Sequence, residues 1–549
     1  MKDLFSSIFL SKGTNYLTDD LPFLEMLEYF KTKPDQDMKD LGKFVSEEMI
    51  ESLDFIDHHA KPVLHMWSLL GERIDFVRLS PDHVRILKKL QDYGTIRKIY
   101  NHDSKLMYHF SSGYIISDSG IFCTLTLTAQ TVYILEKYGS QQLKDSFYHK
   151  FVDHDNPWYG ATFYSETQGG SDIGANKTVA RTEGDHFLLN GWDKYFASDA
   201  GIADAALVTA RIDGSVKGAK GISLFLVPAY TDDGQRNYSI RRLKDKMGTT
   251  AVPTGEVEFS NSTGYLIGDL KNGIYLAMEA LIISRIDDAI AAVGIARKAL
   301  WEAYRFAELR EAFGKKLVDH PLMGRDLMEL EIKLEGGIAL SMLAADKFNN
   351  SASSRPPYDD SYQLARLLGN LAKSIAADTS AEVTRYSMEI LGGIGFFEEF
   401  PMAKFHRDSI VTSIWEGTSN IQALETLEIL TKKNGMELVR RFLNETISRF
   451  NDKNHAEALR KKVDSYLKEI ERMIAKNERE FYSKEILKML GKLVAASVME
   501  LMGQESKDKN MILKMTSRLY YKLELDELPL EYSDLSNNKN VIKWMSTPK

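Results

Sequence analysis

The chain reads as an α+β multidomain protein, helical at its start, β-rich in the middle and helical again to its end. Three observations predict this. Its 549 residues exceed one ordinary core, so two to four domains are expected. Apolar residues recur at spacings of three and four over residues 1 to about 155, and again from about 271 onward. Between these stretches, short β-rich runs alternate with turn-forming Gly, Asp, Asn and Pro.

In the first segment, LPFLEMLEYFKT and HVRILKKLQDYGTIRKIY carry the helical period, which predicts an N-terminal helical domain over 1–156. FLLNGWDKYFAS, AALVTARI, GISLFLVP and GEVEFS predict a central antiparallel β-barrel or sandwich over 157–270. The helical period then resumes through IYLAMEALIISRIDDAIAAVGIARKALWEAYRFAELREAF, giving a helical bundle over 271–432. Within it, NNSASSRPPYDD at 349–360 reads as a loop joining two long helices. Gly435 marks a break. Beyond it, Leu459, Val463, Tyr466, Leu467, Ile470, Met473 and Ile474 share one face of a charged amphipathic helix, so an additional C-terminal helical domain occupies 433–549.

Composition narrows the function classes. A hydrophobic share of 44% with 27% charged residues fits a soluble globular protein, and a net charge of −8 offers no whole-chain attraction for nucleic acid. From Met436 onward there are 22 Lys and Arg against 18 Asp and Glu, a mild surplus whose signs mostly alternate as on a solvated helix face. The single cysteine, Cys123, excludes an internal disulfide and any metal site of several thiolates, and no metal is expected. The opening MKDLFSSIFLSKG lacks the apolar core of a signal peptide, and no stretch approaches the roughly 20 apolar residues of a membrane span. A cytoplasmic protein is expected.

Three short segments hold residues suited to chemistry. YSETQGGSDIGANKT (164–178) combines Ser165, Thr167 and Ser171 with adjacent Gly169 and Gly170, so hydroxyls and backbone amides can approach a polar ligand; a plain surface loop is the competing reading. SIWEGTSNIQ (413–422) sets Glu416 between an indole and a glycine ahead of a helix that Thr418, Ser419 or Asn420 can cap. A carboxylate flanked by apolar groups is a stronger base, whereas the competing reading is a Glu at the mouth of a surface helix. EILGGIGF (389–396) offers Gly392, Gly393 and Gly395 for close approach, or simply ends a helix.

Together and in this order, these segments resemble the acyl-CoA dehydrogenase family over about residues 75 to 432. YSETQGGSD is similar to the family's flavin-binding segment, and LNGWDKYFAS to the strand behind its isoalloxazine ring. RIDDAIAAVGIARKAL and ELREAFGKKLVDHPLM resemble the first bundle helix and its R-x-x-F-G turn, while LGGIGF and IWEGTSNIQ match the remaining signatures. The extra C-terminal domain and SETQGGSD, ILGGIGF and SIWEGTSNI resemble the family's AidB-like branch.

The resemblance implies FAD as cofactor and a role for each matched residue. Tyr164, Ser165 and Ser171 would contact it from the first segment, and Phe196, Ala197 and Ser198 would lie along its ring. Arg310 and Phe313 would hold the pyrophosphate and adenosine half. Glu389, Gly392 and Gly393 would line the adenine end from a neighbouring subunit, and Trp415, Thr418 and Asn420 would close the site. Arg285 would stand beside the acyl-CoA channel, with Ser171 and Gly417 also on the substrate; a surface salt bridge from Arg285 to Asp288 is the competing reading.

The implied reaction is α,β-dehydrogenation of an acyl-CoA thioester to the trans-2-enoyl-CoA, with Glu416 as the α-proton acceptor and hydride passing to flavin N5. The helix carrying Arg285 offers no rival base, because its neighbours there are Ile283 and Ser284. Two positions depart from the family pattern. Tyr195-Phe196-Ala197 stands where many members have W-I-T, leaving Ser198 to supply the hydroxyl, and Glu389 stands where the main branch has Gln. An electron-transfer flavoprotein is the implied acceptor, and a homotetramer the implied assembly. The alternative is an AidB-like flavoprotein of weak dehydrogenase activity that associates with DNA.

Overall fold

The computed structural model describes residues 8–101, 106–507 and 511–546. The MKDLFSS start, part of the stretch read above for a leader, lies outside the described residues. The chain divides into two compact units. A sheet unit gathers Ser52–Asn101 and Ser119–Ser284, and a helical unit gathers the described residues of Met1–Glu51, His102–Asp118 and Arg285–Lys549. The N-terminal helical segment therefore supplies both.

The sheet unit begins with two strands inside the stretch read as helical. β1 (Val63–Trp67) and β2 (Arg73–Arg78) form an antiparallel hairpin. Its polarity is inverted: Asp75 and Val77 are buried while Ile74 and Phe76 face outward. Asp75 is satisfied there by the Ile240 N–H at 2.8 Å and by Arg73 Nε at 3.0 Å.

Seven strands build the main sheet: β3 (Gly160–Phe163), β4 (Val179–Glu183), β5 (His186–Ser198), β6 (Ala205–Ile212), β7 (Ile222–Pro228), β8 (Ser239–Leu243) and β9 (Thr254–Ile267). They pair in the order β3-β6-β4-β5-β9-β7, with β8 beside β9 and β7 pairing again with β6. The antiparallel expectation is corrected at two ladders, since β3–β6 and β4–β6 run parallel. A parallel pair needs a long return connection. Between β3 and β6 that connection is the 164–178 segment followed by the β4–β5 hairpin. β7 is buried along its whole length and β6 along most of its, which is why ISLFLVP and AALVTARI read as apolar runs with little alternation. Phe163, Ala197, Val208, Phe225, Ile240 and Phe259 belong to the core of this unit. The helix Ser119–Tyr138 braces β3, where Thr128 Oγ1 accepts the Gly160 N–H at 3.0 Å.

In the helical unit, the long helices Pro321–Ser351 and Asp360–Leu391 flank the predicted loop, and Asp359 caps the second by accepting the Tyr362 N–H at 3.0 Å. The helix Gly273–Leu309 enters this unit at Arg285. Gly294 lets it lie against Leu106–Ile116: a Cβ there would stand 2.7 Å from the Tyr114 carbonyl. Beside it the buried Arg297 guanidinium meets Glu331 at 2.5 Å, Asp20 at 3.4 Å and Glu335. The amphipathic helix Lys453–Ile474 buries Leu459, Val463, Leu467, Ile470 and Met473 as predicted, with Tyr466 and Ile474 half-buried at its margin. Among the described residues, no helix is long and apolar enough to cross a membrane.

Candidate active site

The first group of candidate residues lies in the sheet unit. After β3 the chain makes a tight turn, in which Gly169 N–H bonds the Glu166 carbonyl at 2.9 Å with Gly169 at φ +108°. Glu166 is buried and anchors the loop rather than facing a ligand. Its carboxylate accepts from Lys177 N–H (2.5 Å), Thr178 N–H (3.1 Å) and Thr178 Oγ1 (2.6 Å), and pairs with Lys194 Nζ at 3.1 Å. Burial works against both charges. For Glu166 the lysine and the donors outweigh burial and hold the carboxyl below its usual range, whereas burial prevails at Lys194 and pushes its ammonium down. Lys194 also donates to Tyr164 O at 3.3 Å, and Asn176 Nδ2 to Thr209 Oγ1 at 3.0 Å, so the segment is pinned to β5 and β6.

This anchoring leaves Ser171 exposed, Ser165 half-buried and the Tyr164 side chain buried. On β5, Phe196 is 52% exposed and Ser198 is half-buried, while the Ala197 side chain belongs to the core. Ser198 thus shares a strand face with Phe196, and Ala197 has only backbone to offer on that face. Tyr195 beside it carries Lys244 Nζ over its ring at 3.0 Å. A Cβ added at Gly169 would meet no heavy atom within 4 Å.

The second group lies in the helical unit. Glu416 sits on a left-handed turn, at φ +56°, followed by Gly417 at +101°. Such a backbone costs an L-residue about 1–3 kcal/mol and persists only where neighbours enforce it. Three side chains do so. Arg285 Nε donates to the Glu416 carbonyl at 3.0 Å, Lys373 Nζ to the Gly417 carbonyl at 2.8 Å, and Gln422 Nε2 to both carbonyls at 3.0 Å. Thr418 is the N-cap of the helix Ser419–Lys432, without a side-chain cap bond. Trp415 is half-buried and Asn420 exposed.

Arg285 is buried rather than on a helix surface. It pairs with Glu425 Oε2 at 2.7 Å and donates to Asn370 Oδ1 at 3.1 Å, so the Asp288 salt bridge considered from sequence does not form. The buried Asp288 faces Lys373 instead, at 3.8 Å. Burial holds its carboxyl well above the usual range, opposed by Lys373 and reinforced by Glu416 and Asp287. Burial also pushes the Lys373 ammonium down, against the pull of Asp288 and Glu416. Glu425 goes the other way: Arg285 and Arg366 outweigh its burial and keep it below the usual range.

Elsewhere in this unit, Arg310 immediately precedes, and Phe313 lies within, the small hairpin of β10 (Glu311–Ala312) and β11 (Lys315–Lys316). Phe313 at φ +52° and Gly314 at +80° make its two-residue turn, which presents the Phe313 ring 97% exposed. Glu389 is exposed and paired with Arg385, and Cβ atoms added at Gly392 and Gly393 would meet nothing within 4 Å. Glu166 and Lys194 lie inside YSETQGGSD and LNGWDKYFAS but were assigned no role there, and Asn370 and Lys373 lie outside every segment singled out. Gln422 did end the IWEGTSNIQ segment, though it was assigned no role. Among the described residues, no group of three or more His, Cys, Asp or Glu could hold a metal ion.

Family comparisons follow the same order along the chain. The acyl-CoA dehydrogenase C-terminal domain matches residues 271–430, its middle domain 161–262, and the N-terminal domain of adaptive response protein AidB 10–155. These matches define the class as flavin-dependent oxidoreductases. The short-chain-specific acyl-CoA dehydrogenase of Clostridium acetobutylicum is 31% identical over 53% of this chain and 73% of its own length. The chain belongs to the acyl-CoA dehydrogenase family, whose members depend on FAD. The putative acyl-CoA dehydrogenase AidB of Escherichia coli is 35% identical over 50% of this chain, a match spanning 48% of that relative. The crystal structure of Caenorhabditis elegans ACDH-11 in complex with C11-CoA shares the fold, with a TM-score of 0.83 over 96% of this chain and 94% of that one, at 22% identity.

Proposed function

We propose that the protein is an FAD-dependent acyl-CoA dehydrogenase that converts an acyl-CoA thioester to its trans-2-enoyl-CoA, with Glu416 as the α-proton acceptor. The observation that carries this reading is the clamped left-handed turn at Glu416. It holds one carboxylate on an enforced backbone, and a fixed base avoids reorganisation as the proton moves.

The residues present fit the cofactor. Gly169, Gly392 and Gly393 border open space, and the Phe196 ring is half-exposed on a strand whose next residue is in the core. Tyr164, Ser165 and Ser171 would hold it with the Phe196–Ser198 strand, and Arg310, Phe313, Glu389, Gly392, Gly393, Trp415, Thr418 and Asn420 would complete its surroundings. When bound, FAD supplies the acceptor for the β-hydride. The chain's own part is to take the α-proton at the Glu416 carboxylate and to fix the thioester beside it. For the latter we assign Ser171, Arg285 and Gly417, Arg285 acting through the Glu416 carbonyl it bonds.

The four-part division at 156, 270 and 432, a homotetramer, an electron-transfer flavoprotein as acceptor and a cytoplasmic location belong to the same reading. The DNA-associated alternative draws less support. Many basic groups of the C-terminal segment face acids within it, as in Arg440–Glu471 at 2.6 Å, Arg449–Glu505 at 2.7 Å and Lys522–Asp534 at 2.6 Å. Such pairing reduces the charge available to a polyanion.

The test is anaerobic titration of the FAD-loaded protein with a panel of acyl-CoAs. Wild type should lose flavin absorbance with at least one of them. Glu416→Gln should keep its yellow flavin and bleach with none; undiminished bleaching in that variant rejects Glu416 as the base.

A further inference from the structure

The turn at Glu416 is held by side chains from three helices, and their charges are not equivalent. Gln422, on the helix Ser419–Lys432, is neutral. Arg285, on Gly273–Leu309, is matched to Glu425 at 2.7 Å, and Glu425 also takes Arg366 at 2.6 Å. Lys373, on Asp360–Leu391, differs from both. Its ammonium bonds the Gly417 carbonyl at 2.8 Å, while Asp288 stands farther off at 3.8 Å.

We propose that Lys373 is a positioning residue for Glu416: its ammonium holds the Gly417 carbonyl in place and supplies the carboxylate with a nearby positive charge. This rests on the reading of Glu416 as the base. Charged groups near the pair include Arg285, Asp287 and Asp288 from one helix, Asp378 and Arg366 from the second, and Glu425 from the third. Asp287 is engaged by His109 Nε2 at 2.9 Å, and Asp378 by Lys488 at 3.3 Å. Asp288 stands 3.8 Å from the ammonium, against 2.8 Å for the Gly417 carbonyl, and burial opposes its charge as it opposes the lysine's. A nearby cation favours the ionised form of a carboxyl group, and a base must be ionised before it accepts a proton. Removing the lysine charge should therefore move the ionisation of Glu416 to higher pH.

Two measurements read this out. One is the pH dependence of anaerobic flavin reduction by butyryl-CoA and octanoyl-CoA. The other, independent of turnover, is the infrared titration, on the resting holoprotein, of the carboxylate band that Glu416→Gln removes. In Lys373→Met both midpoints should rise by about one pH unit, and reduction near neutral pH should slow about tenfold or more. Lys373→Arg should return the midpoints to wild type. Midpoints and rate unchanged in Lys373→Met overturn the proposal. Should that variant fold poorly, Lys373→Gln serves, since it can still donate to Gly417 and lacks only the charge; an unshifted midpoint there overturns it equally. The two readings fail separately. Bleaching that persists in Glu416→Gln, or a wild type that neither thioester bleaches, removes the base and this inference with it. An inert Glu416→Gln beside an unshifted Lys373→Met removes the lysine's role alone.

Discussion

Glu166 illustrates how a motif residue differs from its expected surroundings. It sits amid hydroxyls and glycines that face outward, yet its own carboxylate is turned inward onto Lys194 and two backbone N–H groups. Removing one partner of a buried pair leaves a charge without compensation and costs roughly 3–5 kcal/mol. Lys194→Met should accordingly lower the melting temperature by several degrees and reduce the flavin carried per chain, because the 164–178 segment loses its anchor to β5. A melt and a flavin ratio equal to wild type would show that the pair is dispensable. Glu416, the glycines and the hydroxyls were legible because their types and spacing form a pattern. Lys194 and Lys373 were not, because a lone lysine in a strand or helix looks the same in sequence whether it is solvated or buried against a carbonyl.

Among the elements, β2 escaped the sequence reading for a specific reason. Its alternation is brief, Ile74-Asp75-Phe76 before Val77 breaks it, and the facing is inverted as well, with Ile74 and Phe76 out and Asp75 in. β5 was legible, although the side of each residue was not: Ala197 turns to the core and leaves Phe196 and Ser198 on the other face. Where β5 ends, Asp199 is buried at φ +60° and accepts from Thr124 Oγ1 at 2.9 Å, joining the strand to the helix Ser119–Tyr138. Burial pushes its carboxyl up to about 7, against that hydrogen bond and Lys246, and pushes Asp204 up to about 6. A folded value above the unfolded one gives stability that is complete below about 3.8 and is lost as pH rises through about 7. Thermal melts should therefore run higher at pH 5 than at pH 8. Asp199→Asn, which stays neutral and can keep the threonine bond, should shrink that difference by roughly 2–3 kcal/mol. An undiminished pH dependence in the variant rejects Asp199 as its source.

For the whole molecule, the C-terminal stretch is part of the helical unit's core rather than a charged appendage. Trp301 Nε1 donates to the Met545 carbonyl at 3.1 Å, and Trp544 lies against Arg297, 4.8 Å from ring centroid to guanidinium carbon. The Met545 side chain is fully buried. Met545→Ala should cost about 2–5 kcal/mol, read as a lower urea midpoint with an unchanged slope; a midpoint within error of wild type would show that the stretch packs loosely.

The sequence by itself determined the succession of helical, β and helical segments and the placing of glycines, hydroxyls and one glutamate. Periodicity and residue type are local properties, and they survive without coordinates. Only the tertiary structure decided the two parallel ladders of the sheet, the sharing of the N-terminal segment between two units, and the partners of Arg285. It also decided that Glu416 stands on a left-handed turn clamped by Arg285, Lys373 and Gln422. Those partners lie up to 131 positions away in the chain, and packing selects among distant residues by shape and charge that no local pattern records.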